Sequence, residues 1–194
     1  MTERFVGKRG GIERTGVANR IAFLWGLAEA TVFFIVPDVW LTRLAVRDFR
    51  RAFVASLWAL AGAILGGMIL WSVARHGAAE RLFAAFDLLP GISPALIEKS
   101  GHAMEERGLV SLATGALAGQ PYKLYAVHAG ASGVAFVPFL LASLAARFAR
   151  FLLTSIIARA VGRIFEHRGE RFLLQLHGGV WLVFYLCYFS FMRS

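Results

Sequence analysis

Residues 52–73 (AFVASLWALAGAILGGMILWSV) carry no charged side chain. At about 1.5 Å per helical residue the stretch predicts a helix roughly 33 Å long, enough to cross the hydrocarbon core of a bilayer. Residues 124–146 form a second uncharged run, with Gly130, Gly133 and Pro138 inside it, and residues 172–192 form a third, dense in Phe, Tyr and Trp. Three spanning helices are therefore predicted. In the first, Gly62, Gly66 and Gly67 lie at near-helical spacing, which lets a neighbouring helix approach closely.

Two other apolar stretches break this pattern. Residues 21–46 contain Glu29, Pro37, Asp38 and Arg43, and residues 109–129 contain Gly115, Gly119, Gln120, Pro121 and Lys123. Each predicts two short half-helices joined by a proline-containing break, a re-entrant hairpin that enters and leaves on one side. Irregular backbone is tolerated at membrane depth only where protein or a water-filled cavity surrounds it, so two such elements imply a shared polar interior. A broken hairpin followed by a Gly-rich span occurs twice, the hydropathy signature of an inverted repeat with a binding site between its halves. Between them, residues 78–107 predict an interfacial helix with Leu82, Phe83, Phe86 and Leu89 on its apolar side. Pro90-Gly91 ends that helix, and a polar helix through Glu106 follows.

Composition narrows the class. Hydrophobic residues make up 58% and charged residues 17% of 194, against about 25% charged in a soluble domain. The net charge of +9 comes from bases that flank apolar runs, the membrane pattern rather than a nucleic-acid face. Cys187 is the single cysteine, so no internal disulfide forms. The first twenty residues are polar and basic and read as a cytoplasmic tail rather than a secretory signal. With three spans and two hairpins that return to their own side, fifteen Lys and Arg fall on the N-terminal side and five on the other. This places the N-terminus in the cytoplasm. No metal-ligand spacing, nucleophile elbow or phosphate loop is present, so neither an enzyme nor a cofactor or metal is expected.

The candidate residues are the ionisable groups inside the broken elements, because such groups at membrane depth are costly and mark ion or substrate paths. Glu29 and Asp38 belong to the first hairpin and Lys123 to the second. Asp38 also stands where it could cap the second half-helix. Lys123 follows a half-helix start that already attracts anions, or it snorkels to the interface. Arg43, Gln120 and His128 are secondary candidates. Arg43 fits a snorkelling end residue and His128 a packing residue, although a histidine can titrate near neutrality.

Residues 27–77 (LAEATVFFIVPDVWLTRLAVRDFRRAFVASLWALAGAILGGMILWSVARHG) and 104–130 (MEERGLVSLATGALAGQPYKLYAVHAG) resemble the DedA membrane-protein superfamily, also called the VTT or SNARE-associated-like family, and most nearly its YqaA-like subgroup. The likeness rests on a Glu before an aromatic-Pro-Asp hairpin, a basic turn, a Gly-rich helix, and a second hairpin closing on Ala-Gly. The resemblance implies two facing re-entrant hairpins and movement of a phospholipid or polyprenyl-phosphate headgroup across the bilayer, proton-coupled in some members. It places Glu29 and Asp38 at the family's hairpin acids and Lys123 where the family has an Arg. The chain departs from many members in having no cation between Ser111 and Gly119.

The expectation is thus an all-α polytopic membrane protein of the bacterial inner membrane. Its parts would be a tail over 1–17 and a membrane domain over 18–165, with hairpin 18–46, helix 49–75, interfacial segment 78–107, hairpin 108–130 and helix 131–160, followed by a C-terminal helix over 171–192. The expected partners are membrane lipids and protons, without nucleic acid, and homo-oligomerisation stays open. Transport of a small solute or ion, or a non-catalytic membrane scaffold, are the alternatives to lipid transport.

Overall fold

The computed structural model describes residues 3–192, with side chains described for 15–190. Among these residues the chain is all-helical, without a strand. Helix α1 runs Glu3–Thr31, α2 Asp38–Arg47, α3 Phe49–Val73, α4 Ala79–Asp87 and α5 Pro94–Arg107. They are followed by α6 Val110–Leu117, α7 Tyr122–Ala131, α8 Phe136–Ile164 and α9 Glu170–Met192. Three segments are long and apolar enough to cross a membrane: Phe49–Asp87, Phe136–Ile164 and Glu170–Ser190.

The first apolar run lies inside α3, and the third inside α9. The second is not one helix. It is split where α7 ends and α8 begins, with Gly133 at φ +78° in the turn, a conformation that an L side chain rarely adopts. The span expected over 131–160 starts at Phe136 and continues to Ile164, so Arg147 and Arg150, counted above among the bases of the N-terminal side, stand in the middle of a helix. The segment 1–17, expected as a tail, is helical from Glu3. The interfacial segment 78–107 divides into α4 and α5, and Ser93 caps α5 by accepting from Leu96 N–H.

Both expected helix breaks are present, at 32–37 and 118–121. Contacts fix the direction of the elements around them. Along α1 and α3 the pairings rise together, Phe23 with Trp58, Gly26 with Ala59 and Ala30 with Gly66, so these helices run in the same direction. Glycine is required at the crossing: a Cβ at Gly62 would strike the Phe23 carbonyl, and one at Gly26 the Ala59 carbonyl. Helix α8 runs opposite to α3, with Phe53 against Phe148 and Trp71 against Phe136 and Phe139. Helix α2 follows α8, Asp38 meeting Arg150 and Thr154 while Val46 meets Gly162. The chain therefore reverses between α1 and α2. Tyr122, at the start of α7, meets Gly67 of α3, the level at which α1 ends. The two breaks face each other there.

Two apolar clusters hold this frame. One joins α3, α5, α7 and the start of α8 around Leu70, Met104, Tyr125 and Phe139, and the other joins α1, α2, α3 and α8 around Leu41, Ala59 and Phe151. Helix α9 belongs to neither. It is tied on by polar contacts: Tyr185 Oη accepts from Val36 N–H (3.0 Å), Trp181 Nε1 donates to Thr42 Oγ1 (3.0 Å), and Arg47 pairs with Glu170.

Candidate functional site

Helix α8 carries a polar stripe on an otherwise apolar helix. Ser143, Arg147, Arg150 and Thr154 follow one another at steps of four, three and four residues, so they share one face. Arg147 stands about 17 Å and Arg150 about 21 Å from the start of a helix roughly 43 Å long. A hydrocarbon core about 30 Å thick would contain both. The break between α1 and α2 supplies the counter-charges. Glu29 sits in the last turn of α1, and Asp38 opens α2.

The four charges form two pairs. Arg147, 1% exposed, holds the Glu29 carboxylate with both terminal nitrogens, Nη2 to Oε2 and Nη1 to Oε1, the latter at 3.4 Å. Such two-point contact is the strong form of arginine–carboxylate pairing. The guanidinium lies between the rings of Tyr122 (5.0 Å) and Phe151 (4.8 Å), which adds cation–π attraction in a dry setting. Asp38, also 1% exposed, accepts from Thr154 Oγ1 at 2.9 Å. Its other oxygen stands 3.3 Å from Arg150 Nη2, as an ion pair without hydrogen-bond geometry. Arg150 Nη1 donates to the Ala116 carbonyl (3.2 Å) at the end of α6, so this arginine bridges the two broken elements. Asp38 does not cap α2: Pro37 holds the N-cap position, and the Asp38 carboxylate turns to Thr154 and Arg150 of α8.

Lys123 is 2% exposed and does not snorkel. Its ammonium donates to the Phe33 carbonyl (2.7 Å) in the first break and lies 5.8 Å from the Phe86 ring. The unwound backbone of one broken element is thus satisfied by the cation of the other. Among the described residues no carboxylate comes within ion-pair range of Lys123. The buried cluster holds three cations and two anions.

Between the breaks lies a small cavity of about 40 Å³, lined by Glu29, Gln120, Lys123, Arg150, Tyr185 and Tyr188 among others. That is room for roughly three waters. Gln120 accepts from Tyr125 Oη, and α9 closes the cavity with its tyrosines. The remaining candidates lie elsewhere. Arg43 is exposed on α2. His128 packs on Phe83 (4.6 Å between rings) and pairs through Nε2 with the Ile97 carbonyl (3.0 Å), as a residue that fixes α7 against α4 and α5. No cluster of three metal-binding side chains occurs among the described residues.

The sequence reading passed over Arg147, Arg150 and Thr154. The signal was there: the apolar pattern resumes after Arg150 (FLLTSIIA), so the two arginines interrupt a span instead of ending it.

No family model matches the chain, and no solved structure matches it. An uncharacterized protein of Haemophilus influenzae is 24% identical over 178 residues, covering 85% of this chain and 83% of that protein.

Proposed function

We propose that the chain is a membrane lipid transporter of the DedA type, which passes a phosphate-bearing headgroup between two re-entrant hairpins while the acyl chains stay in the bilayer. The observation that carries this is the meeting of the two helix breaks at one level, Lys123 on the Phe33 carbonyl, beside two buried arginine–carboxylate pairs and a cavity. Charged side chains at that depth cost on the order of 3 kcal/mol each on insertion scales. A protein that needed only to sit in the membrane would gain more from apolar packing there. The excess of one positive charge suits a headgroup carrying a single negative one. The small cavity describes a closed state, in which Glu29 and Asp38 are neutralised by their arginines. A headgroup or protons would have to compete for those partners, which gives the two acids a role in coupling. The inverted-repeat relation of the hairpins, the bacterial inner membrane and a cytoplasmic N-terminus belong to the same proposal.

The two closed ion pairs also favour a second reading, a scaffold in which the cluster is only a lock. Fluorescent-lipid transfer between leaflets of reconstituted vesicles separates the two. Lys123→Ala and Glu29→Gln are expected to lower the rate at least tenfold in protein verified as folded, with Lys123→Arg keeping part of it, since charge survives while geometry changes. Wild-type protein that moves no lipid, or variants that move it at the wild-type rate, would leave the scaffold. Solute flux without lipid movement would instead point to a small-solute or ion carrier.

A further inference from the structure

The turn between α2 and α3 meets the far end of α8. There Arg159 donates through Nη1 to the carbonyls of Val46 (3.1 Å) and Arg47 (3.4 Å), and a Cβ at Gly162 would strike the Val46 carbonyl. Beside this junction lies a pocket of about 290 Å³, lined by Phe49 of α3 and by Ile156, Arg159, Ala160 and Arg163 of α8. Ile156, Ala160 and Arg163 follow at steps of four and three residues, so the pocket uses one face of α8. Leu152 and Phe148 continue that face toward the middle of the span, where Phe148 meets Phe53, one turn on from Phe49. Arg159 and Arg163 stand about 35 and 40 Å along α8 from Phe136, beyond the roughly 30 Å that a hydrocarbon core takes up. This face is therefore apolar within the core and basic at its edge.

We propose that the pocket between the start of α3 and the end of α8 binds the headgroup phosphate of an anionic phospholipid, drawn from the leaflet on the side of the α2–α3 turn. Arg163 and the Arg159 nitrogens not spent on the two carbonyls hold the phosphate above Phe49 and Ile156, and one acyl chain follows the seam past Leu152 and Phe148. Charge complementarity selects this occupant. At the same end Asp48 pairs with Arg51 and Glu170 with Arg47, whereas Arg159 and Arg163 form no ion pair among the described residues. Glu166, exposed in the turn after α8, does not line the pocket. Arginine matches the geometry of phosphate oxygens, and basic pockets between spanning helices recognise anionic headgroups. A zwitterionic headgroup would bring its own cation to the same arginines and gain less. The site rests on α3 and α8 crossing the bilayer. It does not rest on transport, and a protein that moves no lipid would still hold one here.

Spin-labelled lipids report it directly. Full-length protein in phosphatidylcholine vesicles is probed with phosphatidylglycerol or phosphatidylcholine carrying a nitroxide near the chain end. The wild type is expected to immobilise more phosphatidylglycerol than phosphatidylcholine. Arg163→Gln, at an exposed side chain, should at least halve that excess, and Arg163→Lys should keep part of it, since the charge stays while the fork is lost. Ala160→Trp, at an exposed position, fills the pocket and should remove the excess with every arginine still in place. Arg168→Gln takes the same charge from the same end of the molecule but outside the pocket, and should leave the excess intact. Equal immobilisation of the two lipids by the wild type would overturn the site, as would an excess that survives Arg163→Gln or Ala160→Trp. An equal fall in Arg168→Gln would overturn it too, because the attraction would then be diffuse.

Discussion

Glu29 and Arg147 show what a buried charge requires. Either residue alone would be an unpaired ion among apolar side chains, whereas together they satisfy each other with two contacts. Breaking one partner of a buried pair costs about 3–5 kcal/mol, while replacing both by apolar groups of similar volume is often neutral. Arg147→Met should therefore lower the thermal stability of the detergent-solubilised protein sharply, and Glu29→Leu combined with Arg147→Met should restore most of the loss. An additive double variant would show that the pair is not coupled. The same pair explains what could be read at this scale from the chain. Glu29, Asp38 and Lys123 stood out because each interrupts an apolar stretch near a proline. Arg147 follows an uncharged run, where a charge is normally a span boundary, and only its partners across the fold reveal its depth.

The breaks set the elements, and prolines announce breaks. Pro37 and Pro121 end up beside the two breaks because neither can continue a helix from the preceding turn. The turn between α7 and α8 has no proline. It depends on Gly133 at positive φ, which looks like any other glycine in a Gly-rich membrane sequence, so the uncharged run over 124–146 carries no local mark of a turn, and the boundary expected at 130–131 rested on the hairpin alone. Glycines also separate by context. At Gly62 a side chain has no room because the α1 backbone is in contact, whereas at Gly178 in α9 nothing lies within 4 Å. Gly62→Val should prevent α1 from seating on α3, seen as loss of a monodisperse peak after detergent extraction. Gly178→Ala should leave both that peak and the thermal midpoint unchanged. Equal tolerance of the two changes would contradict the helix crossing.

At the scale of the molecule, charge sets orientation. With Arg147 and Arg150 removed from the loops, thirteen Lys and Arg remain on the side of the N-terminal segment and the turn before α9, against five on the other, so the bias keeps its sign. Cysteines placed at Arg168 and at Gly77 in a Cys187→Ser background should label from opposite sides of the membrane with an impermeant maleimide, Arg168 from the cytoplasm. Labelling of both from one side would remove the three-span arrangement. The long separation of the charge partners also has a consequence for synthesis. Arg147 lies 118 residues after Glu29; at about 5–20 residues per second, a ribosome takes roughly 6–24 s to make the partner of an acid that has already emerged. Until then the break between α1 and α2 carries two carboxylates and an open backbone turn with nothing from α8 to receive them. On the membrane arrangement proposed above, the nascent chain is expected to hold that segment at the membrane surface, or in the shelter of the insertion machinery, and to draw it into the bilayer late, when α8 arrives.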